Sequence, residues 1–310
     1  MADTVWTTPA WAPGPRASIV LALLAGAFVA LAHPPFGFLP GLLGYGLWLH
    51  LLDRPVERRP LWSAFWTGWL VAFAYFLIGC WWVAEAFMVD ARGQGWMAPF
   101  AAALLPAGLG LFWGAASLLY RRFRPQGAWR VVFFAGAVAG FEWLRGHLLT
   151  GFPWNLPGET WRAGSPPSQM ASLVGAYGLT WITLALAADP AAGLFARSRR
   201  ERWVTLGAAL AGLAGLYGFG WARLAMPLAP DPAAPVVRVV QADVKQEAKY
   251  DAQNYRDIVA RYVRLTAQPA ARRPDIVIWP EGALPDAANS VLAPGSWTEL
   301  AILRALQPGQ

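Results

Sequence analysis

"LWSAFWTGWLVAFAYFLIGCWWVA", residues 61–84, holds no charged side chain. A helix needs about 20 apolar residues to cross a bilayer, so this stretch is long enough to span. Six more apolar stretches lie near 17–32, 36–52, 96–120, 129–149, 169–188 and 203–222. The first two are short and separated by the turn "HPPFG" (33–37), which reads as a helical hairpin with its tip at one membrane face. Composition agrees. Hydrophobic residues make up 56% of the 310-residue chain and charged residues 14%, against about 25% charged in a soluble domain. The 19 Trp residues suit a chain that meets the membrane–water interface repeatedly.

The connections set the topology. "RPVERR" (54–59) carries three Arg, "RRFRPQGAWR" (121–130) four and "RSRRER" (197–202) four. The alternate connections are poor: Arg92 in one, Arg145 and Arg162 near the other. Basic loops stay cytoplasmic, so the N-terminus is expected inside and everything after about Arg223 outside, periplasmic in a cell with two membranes. This pattern accounts for the formal charge of +7 without a nucleic-acid surface; only Lys245 and Lys249 are Lys. Ala30-Leu31-Ala32 resembles a signal cleavage site, but Arg16 is the only basic residue before it and more spans follow, so a retained first helix is expected. The single cysteine, Cys80, excludes an intrachain disulfide.

After residue 223 the pattern changes. "MPLAPDPAAP" opens a Pro-rich linker, taken as 224–235. "VVRVVQADV" (236–244) has a strand's β-branched run. In 250–268, Tyr255, Ile258, Val259, Tyr262 and Val263 form a helical stripe. "DIVIWP" (275–280) is a second β-rich run, which Pro280 ends. Ser296 and Glu299 have capping-box spacing ahead of "WTELAILRAL". The order β–α–β–α implies parallel strands with a right-handed crossover, whose functional edge lies at their carboxyl ends. Glu281 sits there. About 75 residues of this kind leave a parallel sheet uncovered, so an incomplete outer domain is expected.

Glu281 by itself reads first as a solvated surface charge. A general base is the functional reading, with Pro280 fixing its direction and Trp279 as an aromatic wall. A resemblance decides between them. "VVQADVKQEAKY" (239–250), a helix, then "DIVIWPEGALP" (275–285) resembles the start of the nitrilase-like domain of bacterial apolipoprotein N-acyltransferases. "ALAHPPFGFLPGLLGYGLWLHLL" (30–52) resembles that family's first hairpin, "FEWLRGHLLTGFPWNLPG" (141–158) its EWLRG…TGFPW signature, and "LVGAYGLTWITLALAA" (173–188) its sixth span. The fold class implied is a polytopic α-helical membrane bundle of about seven spans (1–223), then the first β–α–β–α portion of a nitrilase-like α/β sandwich (236–310).

The resemblance implies an enzyme of the bacterial inner membrane. It transfers an acyl chain from a phospholipid to the N-terminal amine of the S-diacylglyceryl-cysteine of a maturing lipoprotein, through a Cys thioester. A Glu–Lys–Cys triad does the chemistry, with neither metal nor organic cofactor, and Glu281 matches the general base. The family's Lys and Cys lie beyond the point corresponding to Gln310, so the 310-residue chain is expected to be inactive alone. A non-catalytic scaffold of the same family is the alternative; a transporter would need polar residues deep in several spans.

Other residues carry weaker signals. Glu142 and Arg145, three apart near the outer end of a span, can pair on one helix turn; they read as a substrate site or as an internal ion pair. Phe152, Pro153 and Trp154 read as an interfacial anchor or a wall for lipid substrate. Tyr250 stands where the family commonly has a Trp in a substrate-facing loop, and Gly282 where it often has a small hydroxyl residue. Cys80, set among apolar residues with no base nearby in sequence, reads as a packed thiol. Lys245 and Lys249 fall in a motif other than the catalytic one, and His33, His50 and His147 share no metal-ligand spacing.

Overall fold

The computed structural model describes residues 13–56, 58–194, 196, 198–227, 231–249, 251–284 and 287–306. The chain divides into two compact units, Met1–Pro227 and Leu228–Gln310.

In the first unit the helices are α1 (Pro15–Leu31), α2 (Leu43–Asp53), α3 (Pro60–Gly79), α4 (Ala98–Phe123), α5 (Trp129–His147), α6 (Ala171–Leu194) and α7 (Arg199–Leu224). Pro at the first turn of α1 and α3 suits a position whose N–H has no partner within the helix. Ser198 caps α7, its hydroxyl accepting the Glu201 N–H.

Four helical stretches among the described residues are long and apolar enough to cross a membrane: Pro60–Gly79, Gly95–Phe123, Pro167–Leu194 and Arg199–Leu224. The remaining three fall short for separate reasons. α1 has 17 residues. α2 has 11, about 16 Å of rise. α5 has 19 residues, about 28 Å, but carries Arg130, Glu142 and Arg145. The apolar run expected at 61–84 is not one helix. α3 stops at Gly79, and Trp81–Met88 continues as 3-10 helix with no buried residue.

Helix faces that pack are lined by small residues, since van der Waals approach drives association where lipid is as apolar as the side chains. Gly26 of α1 shows how close the approach is: a Cβ there would collide with the Val71 carbonyl of α3. α6 breaks at Gly175, whose φ of 67° and ψ of −178° only glycine adopts readily. The core is aromatic. Trp113 of α4 is stacked between Trp48 of α2 (4.8 Å) and Tyr75 of α3 (4.8 Å), all three fully buried.

At the Arg-rich ends of the helices, Asp53 gathers distant chain segments. Its carboxylate accepts from Tyr120 (2.8 Å), Arg124 (3.3 Å) and Arg130 (3.0 Å). Arg121 donates to the carbonyls of Leu52 and Arg54, and Arg130 reaches the Ala192 carbonyl and, at 3.8 Å, Glu201.

In the second unit, β1 (Val237–Val239) and β2 (Ile276–Ile278) pair in parallel, Val237 opposite Ile276 and Val239 opposite Ile278. The short α8 (Gln246–Lys249) and α9 (Tyr255–Thr266) form the crossover, and α10 (Ala288–Val291) and α11 (Trp297–Ala305) follow. Ile258 and Tyr262 of α9 pack with Val240, Ala242 and Ala283. The cap expected at Ser296 is present: its hydroxyl accepts the Glu299 N–H at 3.1 Å, and Glu299 accepts the Gly295 N–H at 2.6 Å.

Candidate functional site

The first unit collects Glu142, Arg145, Phe152 and Trp154 in one place. Spacing of three on α5 puts Glu142 and Arg145 on the same face. Arg145 donates through Nε and a terminal nitrogen to both carboxylate oxygens, at 3.0 and 2.5 Å. Both side chains are wholly buried. Trp113 Nε1 donates to the same carboxylate at 2.6 Å. The other end of the guanidinium donates to the backbone carbonyls of Phe152 and Trp154, and the Phe152 N–H returns to the Arg145 carbonyl at 2.9 Å. The Arg145 guanidinium also lies over the Phe76 ring, 4.9 Å from its centroid. Every charge in this dry site is therefore spent on a protein partner, the condition under which a buried ion pair is tolerated.

A second set of bonds holds the same loop. Tyr75 donates its hydroxyl proton to the Asn155 carbonyl at 2.6 Å. The hydroxyl has one proton, so His33 Nε2, also at 2.6 Å, must carry a hydrogen and donate to the Tyr75 oxygen. Asn155, at a φ of 58°, donates its amide to the Gly79 carbonyl at 3.2 Å. The loop backbone is thus tied inward while the Trp154 ring faces out and Phe152 packs half-buried against the core. Trp154 is 52% exposed and lies 5.0 Å from Phe152 and 6.4 Å from the exposed Trp82. Cys80, at the end of α3, is buried. His147 stacks on Trp143 at 4.3 Å, and His50 is buried in α2.

Spacing made Glu142 and Arg145 visible in the sequence. Trp113 was not visible as the partner of Glu142, nor were His33 and Asn155 as partners of Tyr75. These three pairs lie 29, 42 and 80 residues apart along the chain, and no local pattern links them.

Glu281 belongs to the second unit. Pro280, Glu281, Gly282 and Ala283 form a β-turn just past β2, closed by the Ala283 N–H to the Pro280 carbonyl at 3.1 Å. Gly282, at a φ of 67°, supplies the left-handed third position such a turn requires. Buried Ala283 anchors one end of the turn. Trp279 anchors the other, its indole donating to Thr266 Oγ1 at 2.9 Å and lying 4.8 Å from Tyr262. Glu281 stands exposed at the corner, at the carboxyl end of the parallel strands. Among the described residues no hydrogen bond or ion pair engages its carboxylate. Lys249 Nζ lies 3.8 Å from where a Cβ on Gly282 would sit, so an ammonium group borders the same turn. Lys245 lies apart, beside Asp243, Asp257 and Arg261 around a cavity of about 370 Å³. Tyr250 lies outside the described residues.

Residues 25–188 match the family described as the apolipoprotein N-acyltransferase N-terminal domain. The chain is 60% identical over 297 residues to the apolipoprotein N-acyltransferase of Caulobacter vibrioides, covering 96% of this chain and 55% of the relative. Identity is 38% over 282 residues to the protein of that name from Rhizobium rhizogenes, covering 86% and 52%. Identity is 35% over 279 residues to that from Brucella melitensis, covering 85% and 51%. The chain thus spans about half the length of the curated relatives it matches. Four long apolar helices and these matches make it a multi-pass membrane protein. Residues 25–188 are more than half of the chain and include the buried Glu142–Arg145 pair with its loop, and the chain belongs to the apolipoprotein N-acyltransferase family, whose N-terminal domain those residues form.

Proposed function

We propose that this chain is the N-terminal portion of an apolipoprotein N-acyltransferase. Residues 1–223 would be a seven-span bundle in the bacterial inner membrane with the N-terminus cytoplasmic. Residues 224–235 would be the linker, and 236–310 the start of a periplasmic nitrilase-like domain. The observation that carries the reading is Glu281, an exposed carboxylate on a glycine-dependent turn at the carboxyl ends of parallel strands, in a chain of this family.

In this reading Glu281 takes the proton of the family's catalytic thiol, and the thiolate attacks an ester carbonyl of a phospholipid. A lysine stabilises the oxyanion. Collapse forms the thioester and expels the lysophospholipid alkoxide, which takes the proton back from Glu281. The N-terminal amine of the diacylated lipoprotein then attacks the thioester, gives its proton to Glu281, and the thiol is restored. The thiol and the lysine are supplied from outside these 310 residues. The buried Glu142–Arg145 pair acts through the loop, fixing Phe152 and Trp154 as an aromatic wall for lipid. Tyr250, outside the described residues, is carried over as a substrate contact from the family resemblance alone. No cofactor takes part.

The test is Glu281→Gln in the full-length protein, read by mass spectrometry of lipoprotein N-termini. Triacylated product should disappear while the variant still inserts in the membrane; normal levels of that product would overturn the base assignment. The 310-residue chain alone should show no turnover of phospholipid with a diacylated lipopeptide.

A further inference from the structure

A groove of about 790 Å³ opens between the α1–α2 turn and the connection leading into α6. Pro34 and Leu39 form one wall, Trp161 and Arg162 another, and Ala176 and Leu179 of α6 a third. The volume is that of a small-molecule site, typically about 300–1,000 Å³. None of Glu142, Arg145, Phe152 and Trp154 lines it.

The polar groups of its floor are already satisfied. Trp161 Nε1 donates to Thr183 at 2.8 Å, the Gly158 N–H to Thr180 at 3.1 Å, and the Thr160 hydroxyl to the Pro157 carbonyl at 2.9 Å. A floor whose polar atoms are spoken for suits hydrocarbon better than water. Residues adjoining the walls in sequence are large, apolar and exposed: Phe36 and Phe38 on one side, Leu173 and Val174 on the other. In a membrane protein such residues face acyl chains, so the mouth opens toward lipid.

The rim carries charge. Arg162 is exposed, and among the described residues its guanidinium has no hydrogen-bond or ion-pair partner. Glu159 also stands on the rim, but its carboxylate accepts the Leu156 N–H at 2.9 Å. Gln169 lines the groove too, and among the described residues its side-chain amide makes no hydrogen bond, so the groups open to a ligand are the Arg162 guanidinium and a neutral amide. A guanidinium is suited to phosphate through paired N–H donors.

We infer that this groove holds one glycerophospholipid, an acyl chain lying along Pro34, Leu39 and Leu179 and the phosphate diester at Arg162. The lipid is a resident of the bundle, bound apart from the aromatic loop and from Glu281.

The 310-residue chain, purified in dodecyl maltoside and titrated with dioleoyl phosphatidylglycerol, is to be followed by native mass spectrometry. One lipid per chain should be retained saturably. Arg162→Gln should weaken retention about tenfold, the loss of one charge-assisted contact, and Arg162→Lys should recover part of it. Arg162 makes no contact that folding needs, so these variants stay interpretable. Ala176→Trp, which fills the groove, should remove the retained lipid. Equal retention by wild type and Arg162→Gln would overturn the inference, as would oleate binding as tightly as the phospholipid. Neither result depends on turnover, so failure here leaves the acyl-transfer reading standing.

Discussion

Replacing Arg145 by Met removes the guanidinium and keeps most of the side-chain volume. It leaves Glu142 wholly buried with one remaining donor, Trp113 Nε1. Removing one partner of a buried ion pair costs about 3–5 kcal/mol, because the other charge stays dry and uncompensated. Two loop carbonyls, of Phe152 and Trp154, also lose their donor. Hydrogen bonds between membrane helices average about 0.6 kcal/mol, so these losses add little more than about 1 kcal/mol together. The expected total is about 4–6 kcal/mol. The double variant Glu142→Leu/Arg145→Met removes both charges and should be about 2 kcal/mol or more stable than Arg145→Met. Its loop carbonyls still lack donors, so loop and helix should separate in their response. Unfolding by dodecyl sulfate in mixed micelles measures the first quantity, and hydrogen exchange of the peptide around Phe152 the second. The Phe152 amide, bonded to the Arg145 carbonyl, should lose protection in both variants. If Arg145→Met costs less than about 1 kcal/mol, or if the double variant is no more stable than the single one, the account of the pair as a dry, mutually dependent unit is wrong.

Burial first, and the Arg145 charge second, push the pKa of His33 down from 6.5 to about 4. Between those values the unfolded chain binds more protons than the folded one. The neutral ring's contribution is therefore complete above about pH 6.5, falls as pH falls and levels off below about pH 4, a loss of about 3 kcal/mol. Thermal midpoints in detergent from pH 7 to 4 should drop more steeply for wild type than for His33→Gln; parallel curves would refute this. Gly26→Ala and Gly108→Ala form a matched pair of helical substitutions. A Cβ at Gly26 collides with the Val71 carbonyl, whereas nothing lies within 4 Å of one at Gly108. The first should lower the melting temperature and the second leave it level or raise it, and equal effects would mean that α1 and α3 adjust freely.

Much of the architecture was readable from the amino acids because apolar runs and Arg-rich breaks are local signals. Each of the seven apolar stretches contains or overlaps a helix, and β1, α9 and β2 fall in their expected segments, with the strands shorter. The end of α3 was not readable. Trp81–Met88 stays apolar apart from Glu85, and hydropathy does not distinguish an α-helix from a 3-10 turn. α5 shows the reverse: its charges lower its hydropathy, yet two of them neutralise each other inside the bundle. At the site, the spacing of Glu142 and Arg145 was informative and their partners were not. Tyr75, read as part of an apolar span, turns out to hold His33 and Asn155. The place of Glu281 just past a strand was readable because Pro280 ends the β-rich run; the turn at Gly282 and the nearness of Lys249 were not, the second because it depends on how the crossover returns.

The Asp53 cluster has a consequence for biogenesis. Asp53 enters the bilayer boundary with the first hairpin, yet its partners Tyr120 and Arg130 lie 67 and 77 residues further along. At about 5–20 residues per second, a ribosome takes about 4–15 s to supply the last of them. Until Tyr120 is made, the nascent hairpin carries a carboxylate with none of these donors, and the last of them comes only with Arg130. Asp53 is thus satisfied in steps, and the contact that joins α2, α4 and α5 closes only after the start of α5 has been made.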